Sequence, residues 1–203
     1  MSRYILNRKE YKLEDEEVSA SKLIKDPGTP VSNDIYFYSE IFPDTAFLVN
    51  KAIRDLEKLQ KITQINLDLP KPPPIKMFIN SPGGDVQSAF SIVDLIKRCT
   101  VPVYTYVEGS VASAATLVSM SGKKRFISTN AVMMLHQISS WFQGTYENHM
   151  DERKNLDMMM TKIKNFYTSN SKIPMEELEE LLKHDIDISA EDCLKYGFVD
   201  SII

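Results

Sequence analysis

The sequence predicts an α/β fold in which largely parallel strands are covered by helices on the outside. Short runs of strand-forming residues alternate with segments whose apolar residues recur at helical spacing. Breaker clusters separate these segments, the clearest of them at residues 80–84. At 43% hydrophobic residues over 203 positions, the chain has enough apolar material for a substantial core.

The alternation assigns an element to most of the chain after residue 34. Strands are expected at 35–38, 75–79, 101–107, 125–127, 131–135 and 198–202. Helices are expected at 46–62, 86–97, 112–120, 146–168, 174–182 and 190–196. The helix at 146–168 is charged and rich in methionine, which fits either ordinary core packing or a surface that contacts partner chains.

Residues 1–33 differ from the rest of the chain. An acidic run at 14–17 and a Pro-Gly cluster at 26–30 favour an arm or loop. The first residues lack the apolar stretch of a secretion signal, and no run reaches the roughly 18 apolar residues of a membrane helix. We therefore expect a soluble, cytoplasmic protein with an arm at 1–33 and a folded domain at 34–203.

Charge and cysteine content weigh against several functions. The net charge is −4 with both signs interspersed, and the chain has no basic stripe of the kind that binds nucleic acid. It also lacks a phosphate-loop lysine and a G-x-G-x-x-G run, so nucleotide binding is not expected. Cys99 and Cys193 lack metal-ligand spacing; one disulfide is possible, but two buried, reduced thiols are favoured.

Two residues at strand ends are candidates for nucleophilic catalysis. Ser113 lies in the small-residue run GSVASAA, where a strand meets a helix. A nucleophilic serine needs such space and gains backbone N–H donors at the helix start, although small residues also permit close helix packing. His136 follows an apolar strand; it is either structural or placed to take the proton of a serine.

Two further segments are candidates for completing a site. Residues 81–84, with sequence SPGG, form either a simple turn or a loop whose N–H groups face a substrate. Asp185 and Asp187 precede the helix at 190–196. They are either solvated residues near a helix cap or the source of a carboxylate that orients a histidine.

Four segments together resemble the signature blocks of the Clp protease proteolytic subunit. The blocks are FINSPGG at 78–84, GSVASA at 109–114, MLHQ at 134–137, and SAED with YGFVD between 189 and 200. They occur in the order of that family and at about its spacing, and the resemblance covers roughly residues 35–203. It implies the ClpP/crotonase-like fold, with stacked strand–helix units and a protruding handle helix at about 146–168.

The resemblance also implies a catalytic triad. Ser113 matches the nucleophile of the family and His136 matches its general base. An ungapped match before the SAED block gives Asp185 as the third member, with Asp187 as a nearby competitor.

Further roles follow from the same resemblance. Gly84 and Ala114 match the residues whose N–H groups form the oxyanion hole. The loop around Gly83, Asp85 and Val86 would hold an extended peptide through strand-like backbone hydrogen bonds. The peptidase itself is expected to need no metal and no other cofactor.

An assembly is implied as well. The family forms two stacked heptameric rings, a tetradecamer, that enclose a chamber, and the handle helix joins the rings. An AAA+ unfoldase threads unfolded polypeptides into the chamber and consumes the ATP, and residues 1–33 would form an arm or axial loop. We therefore expect a serine endopeptidase subunit, with no nucleic-acid and no membrane partner.

Two other functions remain open at this point. Ala114 and Ala115 stand where the family commonly has Met-Gly, and Ile138 stands where it usually has proline. These departures are compatible with a catalytically weak or inactive structural subunit of a mixed ring. A crotonase-like acyl-CoA enzyme would also use oxyanion holes, but it would give Ser113 and His136 no purpose.

Overall fold

The computed structural model describes residues 4–6, by their backbone, and residues 32–203. The strands are β1 (Tyr4–Leu6), β2 (Asp34–Phe37), β3 (Ile75–Ser81), β4 (Val103–Ala112), β5 (Lys124–Ile127), β6 (Val132–Met134), β7 (Asp187–Ile188) and β8 (Ser201–Ile202). The helices are α1 (Pro43–Asn66), α2 (Val86–Arg98), α3 (Ala114–Ser119), α4 (Tyr146–Ser169), α5 (Met175–Leu181) and α6 (Ala190–Tyr196). The predicted alternation of strands and helices is confirmed.

One sheet organises these elements. Its strands run in the order β1-β2-β3-β4-β5-β8, and each neighbouring pair on this path is parallel. Beyond the end of β5, β4 takes a different partner: its last residues pair in parallel with β6, and β7 then pairs antiparallel with β6. The carboxyl ends of β4 and β6 therefore lie side by side.

The core lies on the face of the sheet that the helices cover. Side chains of β3 alternate, so that Ile75, Met77 and Ile79 are fully buried while Lys76 and Phe78 face the other side. Facing residues of the helices fill the same core, among them Ile53, Ile92 and Leu117. Burial of this apolar face is what fixes the strand register.

Several boundaries differ from the prediction for identifiable reasons. The helix expected at 112–120 begins at Ala114, because β4 continues to Ala112 and the chain turns at Ser113. The helix expected at 46–62 begins earlier, at Pro43, since proline is well tolerated in a first helical turn. The last strand is shorter than expected, Ser201–Ile202, and β7 was not predicted.

The predictions for the N-terminal arm, for a membrane helix and for the cysteines can be compared with the described residues only. Backbone pairing of β1 with β2 is described, but most of the predicted arm at 1–33, with its acidic run and its Pro-Gly cluster, lies outside the described residues. Within the described ranges, no helix combines the length and apolar character needed to cross a bilayer. Cys99 is a half-buried free thiol and Cys193 a buried one, and burial raises the pKa of Cys193 to about 12.

Candidate active site

Ser113 occupies the turn between β4 and α3. Its backbone adopts φ 55° and ψ −130°, a positive φ that costs a residue with a side chain about 1–3 kcal/mol. The surrounding structure holds the turn: the Ser113 N–H donates to the carbonyl oxygen of Met134 over 2.8 Å, at the end of β6. A strained serine at a strand-to-helix turn is the geometry of a nucleophile elbow.

His136 lies directly opposite this turn. Its Nε2 is 2.7 Å from Oγ of Ser113, although the two residues are 23 positions apart in the chain. The sheet explains their proximity. Ala112 at the end of β4 is the register partner of Met134 at the end of β6, and Ser113 and His136 follow these two strand ends at the same edge of the sheet.

Asp185 lies on the other side of the imidazole. Its Oδ1 is 3.1 Å from Nδ1 of His136. An ionised carboxylate only accepts hydrogen bonds, so Nδ1 carries the proton and the lone pair of Nε2 faces the hydroxyl of Ser113. The Asp185 side chain is 75% exposed, against 26% for His136, so water reaches the carboxylate end of this line.

The competing carboxylate, Asp187, is placed differently. It belongs to β7, where it pairs with Met134, and it is exposed. Within the described residues, the carboxylate beside Nδ1 of His136 is that of Asp185 and not that of Asp187.

Gly83 and Gly84 bring the loop after β3 against the Ser113 turn. Their φ values are +93° and +137°, which L-residues with a side chain rarely adopt. A Cβ on Gly83 would lie 2.7 Å from Cβ of Ser113 and 2.7 Å from the carbonyl oxygen of Ala112. A Cβ on Gly84 would collide with the carbonyl oxygen of Ile41. Both close approaches require glycine.

Gly84 forms a parallel bridge with Ile41. The Ile41 N–H donates to the carbonyl oxygen of Gly83 over 2.7 Å, and the Asp85 N–H donates to the carbonyl oxygen of Ile41 over 2.9 Å. This pattern uses polar groups of the residues on either side of Gly84, so the N–H of Gly84 itself points away from Ile41.

A small cavity joins the polar groups. It has a volume of about 60 Å³, and Gly84, Ser113, Ala114 and His136 line its polar side. The rest of its wall is mostly apolar and includes Val86, Leu117, Ile138, Ile163 and Tyr167. An adjoining open groove of about 430 Å³ is lined by residues 84–87, by residues 138–140 and by α4 residues between Glu152 and Met159.

The residues predicted to bind substrate differ in whether they line the cavity, the groove or both. Val86 lines both, and Asp85 lines the groove. The Asp85 carboxylate caps α2 by accepting the Ser88 N–H over 2.7 Å. Since its own N–H is bound to Ile41, Asp85 has its carboxylate and N–H engaged within the protein, and its predicted contact with substrate stays a prediction.

Sequence reasoning missed two buried hydroxyl groups behind the turn. Oγ1 of Thr116 lies 2.6 Å from the carbonyl oxygen of Ser113 and 2.6 Å from Oη of Tyr167. Burial raises the pKa of Tyr167, so its hydroxyl remains a donor. No sequence motif marks these residues, because 51 positions separate them and only the packing of α4 against α3 brings them together.

The described residues contain no group of three His, Cys, Asp or Glu side chains arranged to hold a metal ion. The arrangement around Ser113 is instead suited to proton transfer and nucleophilic attack, since a hydroxyl, an imidazole and a carboxylate follow one another at hydrogen-bond distance. A parallel α/β sheet whose edge presents such a line has the architecture of a serine hydrolase.

Comparison with known proteins gives the family. The family described as Clp protease matches residues 32–203. The chain is 31% identical over 132 residues to the ATP-dependent Clp protease proteolytic subunit 2 of Treponema pallidum, a match covering 64% of this chain and 66% of that protein. It is 28% identical over 170 residues to the ATP-dependent Clp protease proteolytic subunit of Deinococcus radiodurans, covering 82% and 83%.

A solved structure agrees with these matches. A point mutant of ClpP1 from Listeria monocytogenes superposes with a TM-score of 0.72 at 26% identity, covering 84% of this chain and 91% of that one. This chain belongs to the Clp protease family, and its fold is the ClpP-like fold. By that membership it is a ClpP-type serine peptidase.

Proposed function

We propose that this chain is a catalytic subunit of a Clp-type protease in which Ser113 attacks the peptide bonds of unfolded polypeptides. The observation that carries the proposal is the 2.7 Å separation between Nε2 of His136 and Oγ of Ser113. A nucleophile and its base must lie within hydrogen-bond reach, and these two already do. The position of Asp185, 3.1 Å from Nδ1, supports its role as the residue that orients the imidazole.

The first half of the reaction forms an acyl-enzyme. Oγ of Ser113 bonds to the scissile carbonyl carbon, its proton passes to Nε2 of His136, and the carbonyl π electrons move to oxygen. The N–H groups of Gly84 and Ala114 would donate to that oxyanion. The C–N bond then breaks, the leaving amine takes the proton from His136, and an ester on Ser113 remains.

Water completes the cycle. His136 takes a proton from a water molecule as its oxygen bonds to the ester carbon. When the bond from that carbon to Oγ breaks, Ser113 regains a proton from His136 and the carboxylic acid is released. Asp185 accepts the hydrogen bond from Nδ1 in both halves and stabilises the imidazolium that forms in each.

The groove beside Gly84 supports an extended polypeptide as the substrate. It is lined by residues 84–87, by residues 138–140 and by α4 residues between Glu152 and Met159. Backbone groups that bind a peptide backbone as an added strand read little of its sequence, so broad tolerance is expected. In this role Gly83 permits the close approach to Ser113, while Val86 and Ile138 offer apolar contact.

The handle helix supports self-association into stacked heptameric rings. α4 has 24 residues, and those buried are Ile163, Phe166 and Tyr167, all in its second half. Two apolar side chains of the first half are exposed, Tyr146 at 74% and Met150 at 40%. A long helix that is left exposed over one half by the other described residues gains stability from a partner. Native mass spectrometry tests this proposal, and a stable monomer would contradict it.

The face of the sheet opposite the described helices supports docking of an AAA+ unfoldase. Four half-buried aromatic rings stack across neighbouring strands, with centroid separations of 5.1, 4.8 and 4.7 Å: Tyr36, Phe78, Tyr106 and Phe126. A continuous aromatic surface of this kind is suited to apolar contacts with another protein. An axial-loop role for residues 1–33 remains a prediction.

The test is hydrolysis of a small fluorogenic peptide by the purified chain, and of an unfolded protein when an AAA+ unfoldase and ATP are added. We expect the purified chain to turn over the peptide and Ser113→Ala to be inactive. The alternative of a catalytically weak structural subunit predicts turnover only after a second type of subunit is added.

A further inference from the structure

Two buried hydroxyl groups connect α4 to the Ser113 turn. Oγ1 of Thr116 lies 2.6 Å from the carbonyl oxygen of Ser113, and the same Oγ1 lies 2.6 Å from Oη of Tyr167. Thr116 is 0% exposed and Tyr167 is 2% exposed, so water does not compete for either bond.

The direction of both hydrogen bonds can be assigned. A carbonyl oxygen only accepts, so the single hydroxyl proton of Thr116 goes to Ser113. Oγ1 of Thr116 then offers only lone pairs to Tyr167, whose hydroxyl must be the donor. The two hydrogen bonds therefore form a chain with one direction: Tyr167 donates to Thr116, and Thr116 donates to the carbonyl oxygen of Ser113.

The carbonyl group that accepts the Thr116 hydrogen bond belongs to the peptide unit between Ser113 and Ala114, beside the cavity. The C=O of Ser113 and the N–H of Ala114 share one rigid trans plane, so they point in opposite directions. Holding the carbonyl on the side of Thr116 therefore turns the N–H of Ala114 to the other side. Ala114 lines the cavity together with Gly84 and His136.

The turn needs such a restraint. Ser113 has a φ of 55°, an unfavourable conformation that persists only when its surroundings enforce it. Its carbonyl oxygen accepts from the N–H of Thr116 over 3.0 Å and from the Thr116 hydroxyl over 2.6 Å. Of these two bonds, the shorter one depends on a side chain and is open to mutation.

We propose that Thr116 and Tyr167 are positioning residues, which clamp the Ser113–Ala114 peptide unit so that its N–H serves as an oxyanion donor. This inference rests on the proposed function of Ser113. Neither hydroxyl touches the substrate; both act through the orientation of one peptide plane. Tyr167 also lines the cavity, so its side chain contributes to the cavity wall as well.

Thr116→Val tests the clamp most directly, because it keeps the shape of the side chain and removes the hydroxyl. Loss of one oxyanion donor typically lowers kcat by about 10²- to 10³-fold, and a misaligned donor costs less. We expect kcat on a fluorogenic peptide to fall about 10- to 100-fold while KM changes less than about threefold. Thr116→Ser retains the donor and should restore kcat to within about threefold of the original chain.

A transition-state analogue gives a second readout. The tetrahedral adduct of a peptide boronic acid places an oxygen where the oxyanion develops, so its affinity reports the same donor. We expect Thr116→Val to weaken boronate binding by about the same factor as kcat/KM. Unchanged boronate affinity would overturn the proposal.

A double variant separates positioning from stability. Thr116→Val alone leaves the hydroxyl of Tyr167 buried without its acceptor, which lowers the thermal midpoint. Combining it with Tyr167→Phe removes both hydroxyls and keeps the ring, so the midpoint should recover while kcat stays low. Recovery of kcat together with the midpoint would show a merely structural role and overturn the proposal.

Thr105→Val provides the matched control. The buried hydroxyl of Thr105 donates to the carbonyl oxygen of Ser119 over 2.6 Å, at the opposite end of α3. We expect this variant to lose thermal stability and to keep kcat within about twofold. An equal loss of kcat in Thr105→Val and Thr116→Val would also overturn the proposal.

The failure of this inference differs from the failure of the proposed function. If Ser113→Ala abolishes hydrolysis while Thr116→Val and the double variant keep the original kcat, only the clamp is refuted. If Ser113→Ala remains active, Ser113 is not the nucleophile and both proposals fall.

Discussion

The backbone N–H of Gln137 donates to the carbonyl oxygen of Leu182 over 2.7 Å, and this bond ties the segment that carries His136 to the segment that carries Asp185. The antiparallel pairing of β6 with β7 ties the same two segments a second time, before His136 on one and after Asp185 on the other. Asp185 lies between the two connections. Its exposed carboxylate is therefore held beside the imidazole by backbone geometry and not by burial.

Asp185→Asn should therefore impair catalysis without unfolding the chain. An amide in place of the carboxylate no longer enforces the tautomer in which Nε2 faces Ser113, which costs about 10⁴-fold in a fully buried triad. Because water reaches this carboxylate, we expect kcat to fall by about 10²- to 10⁴-fold. Asp187→Asn is the same chemical change two residues away and should keep kcat within about twofold. Equal losses in the two variants would refute the assignment of Asp185.

Gly84→Ala should lower activity by displacing the backbone. The new Cβ would collide with the backbone of Ile41, whose nitrogen would lie 2.9 Å away, and the loop would have to move. We expect kcat/KM to fall at least tenfold, about the loss that follows displacement of an oxyanion donor.

Gly197→Ala is the control for this variant. Gly197 also has a positive φ, +73°, but its nearest neighbour would be Cγ of Lys172 at 3.3 Å, and it lies outside the cavity. We expect a loss of stability of about 1–2 kcal/mol with kcat/KM unchanged. If Gly84→Ala showed only that pattern, the loop would have no part in catalysis.

The Arg125–Asp200 pair should make stability depend on acid pH. Burial acts to raise the pKa of Asp200, but the hydrogen bonds and charge of Arg125 outweigh it and lower that pKa below its usual value. A lowered folded-state pKa means that the pair stabilises the fold above the unfolded-state pKa, about 3.9. This stabilisation is lost as the pH falls through the folded-state value.

Asp200→Asn should therefore lower the thermal midpoint near neutral pH by a few degrees and flatten its decline at acid pH. The effect is small because the Asp200 side chain is 42% exposed. Asp151→Asn is the control, since its pair with Lys154 is 70% exposed on the aspartate side and should contribute little. A midpoint profile of Asp200→Asn identical to that of the original chain at every pH would contradict this account.

The order of most elements could be predicted from the sequence because the longer ones show their own period. β3, for example, alternates buried residues with less buried ones, and α2 presents one apolar face. β7 could not be predicted, because its two residues have no period of their own and pair only where β6 is already in place. The helix predicted from residue 112 begins at Ala114, since a period cannot reveal the positive φ of Ser113.

Some residues of the candidate site could be found from the sequence, and others could not. Ser113 and His136 could be found because the segments around them form recognisable blocks in the sequence. The match to the family favoured Asp185 over Asp187, but which carboxylate lies beside His136 depends on how β7 pairs with β6, which the sequence does not express. Thr116 and Tyr167 carried no signal at all, because their contact arises from packing between distant elements.

Covalent labelling with a fluorophosphonate probe tests the central claim, that the hydroxyl of Ser113 is activated by His136. Intact-mass analysis of the full chain should show one adduct per subunit, and peptide mapping should locate it on Ser113. Ser113→Ala should remain unlabelled, and His136→Ala should be labelled far more slowly. Equal labelling of the original chain and Ser113→Ala would contradict the account.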